Sequence, residues 1–254
     1  MSIRQDRRGP GRSLARRRRA SVFAFVLMVV IGGLSGGRQL FSRAQSRQDV
    51  AARLAAAFGR QEGEQMEEEG EFGFLALEMV PGRPGMEEVV WGSLPPDRGW
   101  VAVLSRDPHA PGGWLRLSCS PELARIVRVQ AVQPVPDRSP ELLVETEYDA
   151  RLGALSYTRQ AHLFKWNESA SSLVMIWQTT LWQETYSPEL PFQRKLTLET
   201  RCQLLPGVIS TRSTTREYVR QDVPSVHYQA VRENLLHQQF RWQPRAFRFV
   251  AEQE

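Results

Sequence analysis

The feature that most constrains this chain is an apolar stretch, residues 20–41, directly behind four consecutive arginines at positions 16–19. A helix needs about 20 largely apolar residues to cross the hydrocarbon core of a bilayer. The stretch is long enough for that if Arg38 extends its guanidinium to the far interface. Because arginine-rich flanks stay in the cytoplasm, we predict a single-pass anchor with a basic cytoplasmic tail at 1–19 and an extracytoplasmic remainder.

A cleaved signal peptide is the alternative interpretation of the same stretch. It needs a basic segment, an apolar core of roughly 7–15 residues and a small-residue cleavage site. Ser42, Arg43 and Ala44 form a candidate site, and cleavage near Ala44 would give a secreted protein. Both alternatives place the body of the chain outside the cytoplasm.

The charge of the chain divides at the end of this segment. Residues 1–47 contain eleven arginines and one aspartate, a net charge of +10, whereas the remaining 22 basic and 27 acidic residues give −5. A nucleic-acid-binding domain carries its excess lysine and arginine on the folded part. We therefore predict no nucleic-acid partner, and we expect the basic tail to lie against anionic lipid headgroups.

Residues 42–71 are predicted to form a stalk helix followed by an acidic linker. Val50, Leu54 and Phe58 recur at four-residue spacing, as on an amphipathic helix. The segment 61–71 contains six glutamates, which is typical of a solvated linker. The helix is interpreted either as a stalk that pairs with another membrane protein or as a helix that lies on the bilayer or against its own domain.

From residue 72 the sequence changes to alternating apolar and polar residues rich in β-formers, with proline or glycine every 10 to 15 residues. Such punctuation marks turns between short strands, and the short connections favour antiparallel neighbours. We predict a mainly β domain over 72–254, an antiparallel meander that forms a sandwich, an open barrel or a partial propeller. One C-terminal helix is expected at 224–239, where the apolar residues follow helical spacing. The predicted strands are 72–80, 88–91, 100–105, 114–118, 121–132, 141–148, 155–166, 173–185, 192–205, 208–219 and 240–250.

Part of this region resembles a known family. Residues 140–147, a glycine-containing loop, and the segments 161–166 and 173–177 resemble one blade of FG-GAP-type repeat proteins, within 137–180. The resemblance implies a three-stranded meander. Blades of that family often carry an Asp/Gly-rich calcium loop before the first strand, and residues 134–139 here lack its ligands, so no metal site is implied.

Three carboxylates are the candidate chemical groups of the domain. Glu145, Glu147 and Asp149 occupy alternate positions and therefore share one face of a predicted strand. Carboxylates about 6–7 Å apart could serve as acid and base in a hydrolase. The alternative is a solvated face, paired across the sheet with Arg151 or Arg159. The sequence has no Walker A, G-x-G-x-x-G or H-E-x-x-H motif, and we predict no catalytic residue, cofactor or metal site.

The tryptophans offer a second candidate surface. Trp166, Trp177 and Trp182 fall on neighbouring predicted strands. If exposed, they would stack on sugar rings or accept a partner protein. The alternative is that they pack the core of a sheet.

Two cysteines, Cys119 and Cys202, lie outside the apolar stretch. In an oxidising compartment they would form one disulfide, which stabilises a long loop. The alternative is two buried free thiols.

Together these patterns give three functional hypotheses. The leading one is a membrane-anchored extracytoplasmic binding or accessory protein that acts by protein–protein contact in the bacterial envelope. The second is a module that binds cell-wall glycan through the tryptophans. The third is a hydrolase that uses the strand carboxylates.

Overall fold

Alternating apolar and polar residues, with β-branched and aromatic side chains at many apolar positions, produce twelve β-strands in the part of the chain that the structure describes. The computed structural model describes residues 47–137, 139–152, 155–188, 193–220 and 227–252. Two α-helices precede the strands, and one short 3₁₀ helix lies among them. The elements are α1 (Arg47–Phe58), α2 (Arg60–Glu69), β1 (Glu71–Leu77), β2 (Glu87–Leu94), β3 (Arg98–Arg106), the 3₁₀ helix (Pro111–Gly113), β4 (Trp114–Cys119), β5 (Arg125–Val132), β6 (Glu141–Asp149), β7 (Ser156–Asn167), β8 (Ser172–Tyr186), β9 (Arg194–Leu205), β10 (Val208–Arg220), β11 (Tyr228–Gln243) and β12 (Arg248–Ala251).

The predicted cytoplasmic tail (1–19) and membrane anchor (20–41) lie outside the described residues. Within the residues that are described, no helix is both long enough and apolar enough to cross a membrane. The anchor and the alternative cleavage near Ala44 therefore stay predictions.

The strands form two antiparallel sheets in which strands adjacent in sequence are also adjacent in space. The first sheet has the order β1-β2-β3-β4, and the second has the order β12-β11-β10-β9-β8-β7-β6-β5. An isolated bridge pairs Gly99 of β3 with Leu123, which lies in the connection between the two sheets. Glycine suits this close approach, because a Cβ at position 99 would lie 2.6 Å from the carbonyl oxygen of Ala124. The predicted mainly β, antiparallel fold is confirmed.

The two sheets pack on one another through an apolar layer, which we call the inter-sheet core. It includes Val101 and Val103 from β3, Leu142 and Val144 from β6, and Phe164 from β7, all fully buried. Complete burial of one such side chain contributes about 1.5–3 kcal/mol. The layer therefore stabilises a sandwich-like arrangement of the first sheet against the early strands of the second.

Serine hydroxyls add polar links between the sheets. The hydroxyl of Ser93 on β2 accepts a hydrogen bond from the backbone N–H of Ile126 on β5, at 2.8 Å. The hydroxyl of Ser118 on β4 accepts one from the N–H of Leu173 on β8, at 2.9 Å. Each bond gives a buried or half-buried backbone N–H a partner from the opposite sheet.

Helices α1 and α2 cover the other face of the first sheet. Leu54 and Ala57 of α1 and Met66 of α2 are fully buried in a cluster with side chains of β2 and β3. Gly63 lets the two helices approach closely, because a Cβ there would lie 2.8 Å from the backbone nitrogen of Ala55. The helix pair is therefore an integral layer of the fold.

This packing changes the interpretation of residues 42–71. The predicted helix is confirmed over α1, and it lies against its own domain. The prediction of a solvated acidic linker at 61–71 is wrong, because most of that segment is α2. Gly63 and Met66, three positions apart, face inward while the glutamates face outward.

The second sheet curls, so that its C-terminal end covers its own free face. Leu163 of β7, Trp177 of β8, Ile209 of β10 and Phe249 of β12 share one buried cluster with Val135 from the β5–β6 connection. Strand β12 contacts β8 although three strands separate them in the sheet order. This cluster therefore closes the side of the sheet opposite the inter-sheet core.

The predicted C-terminal helix at 224–239 is wrong from residue 228 onward, because these residues form β11. Strand β11 pairs with β10 over thirteen residue pairs, from Arg220↔Tyr228 to Val208↔Arg241. Glutamine, leucine and arginine favour helices locally, but pairing with a neighbouring strand overrides that preference. The predicted strand 240–250 is divided by a turn at 244–247, where Pro244 lies.

A buried arginine fastens α1 to the first sheet. Arg53 donates hydrogen bonds to Asp49 at 2.6 Å and to Glu88 of β2 at 2.9 Å. Its guanidinium lies 5.0 and 4.9 Å from the ring centres of Phe74 and Trp114. Burial raises the pKa of Glu88, and the charge of Arg53 opposes that rise. The 5% exposed arginine thus has carboxylates and aromatic rings around it in place of water.

We expect Arg53→Ala to lower the free energy of unfolding by about 2–4 kcal/mol, because Asp49 and Glu88 would lose their shared cation in a site with little access to water. Urea denaturation followed by tryptophan fluorescence measures the loss. Arg47→Ala is the matched control on the same helix, since Arg47 is exposed and forms a surface ion pair with Glu67 of α2. Equal shifts of the two midpoints would contradict the anchoring role.

Candidate functional site

The first of the three predicted strand carboxylates is buried and held by arginine. The carboxylate of Glu145 on β6 accepts hydrogen bonds from Arg159 at 2.5 Å and from Arg128 at 3.4 Å. These arginines lie on β7 and β5, the two neighbours of β6. Glu145 therefore links three strands.

Glu147 and Asp149 continue this pairing along β6. Glu147 accepts hydrogen bonds from Arg125 at 2.9 Å and from the hydroxyl of Tyr157 at 3.1 Å. Asp149 binds Arg151 through both oxygens, at 2.9 and 2.5 Å, and these bonds lower the pKa of Asp149. Of the two predicted arginines, Arg159 pairs with Glu145 across the sheet and Arg151 pairs with Asp149 from the turn after β6. The face is not solvated at Glu145, which is buried. A hydrolytic role stays a prediction, and such a role needs one carboxyl that holds its proton near neutral pH.

The structure places two of the three candidate tryptophans in the core. Trp166 is 7% exposed and Trp177 is 6% exposed. Trp177 packs edge-on against Phe240, with ring centres 6.0 Å apart. Trp182 is half-buried between charged residues of its neighbouring strands. Core packing therefore accounts for Trp166 and Trp177, and glycan binding by this set stays a prediction.

Cys119 and Cys202 are free thiols. Cys119 packs against the helix-covered face of the first sheet, whereas Cys202 packs in the cluster that closes the second sheet. Burial raises the pKa of Cys119. Burial and the nearby charge of Glu145 raise the pKa of Cys202 to about 12. In the structure the two thiols are therefore free, and they are half-buried where the second alternative expected full burial.

A buried lysine between two carboxylates was not predicted from the sequence. Lys165 of β7 is 3% exposed, and its ammonium donates to Glu141 at 2.6 Å and to Asp137 at 2.9 Å. Glu141 is fully buried and also accepts a hydrogen bond from the N–H of Val135 at 3.4 Å. Burial raises the pKa of Glu141 to about 7, although Lys165 acts in the opposite direction. The one sequence signal was the rarity of lysine, since the chain contains only Lys165 and Lys195.

His162 is a second buried titratable group. Its Nε2 lies 3.0 Å from the hydroxyl oxygen of Thr146, and its Nδ1 has no hydrogen-bond partner. Burial lowers the pKa of His162. Its contribution to stability is therefore lost as the pH falls through the ordinary histidine range, which is opposite in sign to that of Glu141.

The most exposed part of the second sheet is a segment of β11. Eleven consecutive residues, 229–239, are exposed, and we call this segment the outer strand. Its large apolar side chains Val231, Leu235 and Leu236 are 58%, 56% and 54% exposed. Strand β12 pairs only with 240–243, so among the described residues no strand lies beside the second edge of the outer strand. A long exposed edge with apolar side chains is a template for pairing with another chain.

A cluster of tyrosines around a lysine supports the base of the outer strand. The ammonium of Lys195 lies 5.9, 5.2 and 5.3 Å from the ring centres of Tyr186, Tyr218 and Tyr228. It also lies 3.6 Å from the carboxylate of Glu184. Burial and a hydrogen bond to Glu184 raise the pKa of Tyr186 to about 12. Side chains from β8 to β11 thus meet at one point and stiffen the sheet.

A shallow cavity of about 280 Å³ lies beside the outer strand on one face of the sheet. Arg216 bridges its walls, 3.7 Å from Glu199 of β9 and 2.7 Å from Glu233 of the outer strand. Ligand pockets for small molecules are mostly apolar. This cavity is instead a charged surface with its ion pairs already formed.

Comparison with protein-family models and with curated proteins finds no match to this chain. Across the ranges that the structure describes, no group of three or more His, Cys, Asp or Glu side chains is placed to hold a metal ion. The functional interpretation therefore depends on the outer strand and its surroundings.

We expect Glu141→Gln to alter the pH dependence of stability. The folded-state pKa of Glu141 is raised from 4.5 to about 7, so the folded chain holds an extra proton between these values. The stability that this group contributes therefore falls as the pH rises through that window. Relative to wild type, the variant should gain about 2 kcal/mol between pH 5 and pH 8.

Urea denaturation at both pH values measures this difference, and His162 cancels because both proteins contain it. Glu168→Gln, on an exposed turn, is the control and should show no such change. A pH-independent difference between wild type and Glu141→Gln would mean that Lys165 keeps the carboxylate ionised throughout.

Proposed function

We propose that this chain is a membrane-anchored extracytoplasmic binding protein that acts by protein–protein contact in the bacterial envelope, with the outer strand as its contact surface. The observation that carries the proposal is the exposure of eleven consecutive strand residues with three large apolar side chains among them. In an antiparallel sheet one face of a strand usually packs on the core. Here, within the described residues, both faces of the segment are exposed and no strand pairs with its second edge.

The physical basis is the addition of a strand to an exposed sheet edge. Backbone hydrogen bonds supply the attraction, and alternate side chains supply the specificity. Covering Leu235 and Leu236 would also remove apolar surface from water, at about 25 cal/mol per Å². The lysine–tyrosine cluster at Lys195 holds the neighbouring strands in place. Binding therefore costs less conformational entropy than it would for a flexible segment.

The net charge of the folded part also supports this proposal. The chain beyond residue 47 carries a net charge of −5. The anionic headgroups of a bilayer attract basic segments and repel an acidic body of this kind. A body that the membrane surface repels keeps its exposed strand available to proteins.

Site-specific photo-crosslinking in living cells tests the proposal. A photoreactive residue in place of Leu236 should yield a discrete protein adduct, because its side chain is exposed on the outer strand. The same residue in place of Leu152, a fully exposed leucine in a turn, is the matched control and should yield at least tenfold less adduct. Equal yields at the two positions, or none at Leu236, would contradict the contact surface.

A further inference from the structure

The direction of the backbone groups on β11 is set by two hydrogen bonds near its end. The carbonyl of Gln239 accepts from the N–H of Glu252 beyond β12, at 2.8 Å. The N–H of Trp242 points the other way and donates to the carbonyl of Gly207 beside β10, at 2.9 Å. Successive residues of a strand direct their N–H and C=O groups to opposite edges. Because the β10–β11 register is regular from 232 to 241, odd-numbered residues of the outer strand direct N–H and C=O to the open edge.

We propose that the outer strand pairs antiparallel with the outer strand of a second copy of this chain, across a two-fold axis centred on Leu235. This inference rests on the proposed function, since it names the partner of the same surface. The two sheets would then join into one continuous sheet, with the same patch on both copies forming the contact.

The alternation restricts which registers a two-fold pair can adopt. In antiparallel strands, directly opposed residues both point to the shared edge or both point away from it. Each two-fold pairing therefore places one residue opposite its own copy. A centre at Arg232 or at Glu233 would oppose like charges, which is destabilising. A centre at Asn234 would set the carboxylate of Glu233 against the partner copy's leucine at 235.

The centre at Leu235 avoids these conflicts. Leu235 lies against its own copy, and Glu233, which also holds Arg216, lies opposite the imidazole of the second copy's His237. The Nε2 of His237 is 3.0 Å from the hydroxyl of Ser210 in its own chain, so Nδ1 is the nitrogen that can donate to Glu233. On the other face, Leu236 packs over the amide of the second copy's residue 234. The overlap covers residues 231–239 of each copy, with Val231 at the bulge of β11. A centre at Leu236 would set Glu233 against an amide instead of an imidazole, so charge complementarity favours the centre at Leu235.

Nine residue pairs make a small interface beside the ~1,600 Å² of a standard complex. A weak pair is strengthened when both copies are tethered to the same surface, because tethering raises their effective concentration. The predicted anchor at 20–41 would tether each copy in this way.

Cysteine crosslinking of the purified full-length chain in detergent micelles tests the register. Leu235→Cys should oxidise to a covalent dimer, since hydrogen-bonded partners in antiparallel strands have Cα atoms about 5.5 Å apart, within disulfide range. Leu152→Cys, equally able to collide in solution, and the wild-type chain with its two protected thiols are the controls. We expect at least tenfold more dimer from Leu235→Cys than from either control.

A pair of proline variants separates the interface from the fold. Leu235→Pro removes an N–H that points to the open edge, so the fold should keep its unfolding midpoint while the dimer dissociates at least tenfold more readily, as measured by light scattering. Leu236→Pro removes an N–H that points to β10, so it should lower the unfolding midpoint.

The outcomes distinguish this inference from the function on which it rests. A wild-type chain that stays monomeric at all concentrations, or a dimer that Leu235→Pro leaves intact, would overturn pairing between copies. A photo-crosslinked adduct at Leu236 whose mass is not twice that of the chain would overturn it too, while the contact surface itself would stand. Absence of any adduct in cells would instead remove the proposed function.

Discussion

The packing of the two sheets against each other is the constraint on which the other layers depend. Helices α1 and α2 bury their apolar residues on the outer side of the first sheet, and the curled end of the second sheet covers that sheet's outer side. Neither layer has a surface to pack on unless the inter-sheet core fixes the sheets between them. In the described residues the layers therefore follow one another as helix pair, first sheet, second sheet and curled strands.

The strands were predictable because their signals are local. Period-two alternation and proline or glycine turns placed each predicted strand up to residue 219 within a few residues of its observed bounds. Residues 228–239 could not be assigned in this way. Their strand state depends on hydrogen bonds to β10, and no window of local sequence reveals that neighbour. Both faces of the outer strand are exposed, so its sequence lacks the apolar–polar alternation that would have indicated a strand.

Most of the contacts that the sequence did not predict involve buried charged residues or charge-rich segments. The glutamate-rich helix α2 carries Met66 inward, and Arg53 and Lys165 are surrounded by carboxylates. Charged residues are ordinarily assigned to the surface, because an isolated charge is costly to bury. Burial here depends on partners from other strands and helices, which only the folded chain brings together. The pairing of Glu145 with Arg159 could be predicted, because β6 and β7 are neighbouring strands with a short connection between them. The arginines of β5 that pair with the same strand were not predicted.

The meander topology has a consequence for how the chain forms. After the first strand of each sheet, every strand pairs with the strand synthesised just before it, with no crossover. Pairing with the preceding strand closes only the connection between the two strands, which costs less loop-closure entropy than pairing with a distant strand. A chain emerging from a translocation channel could therefore add its strands one at a time, each closing the edge left by its predecessor. Strand β11 keeps most of its second edge after β12, the four-residue last strand, has been added.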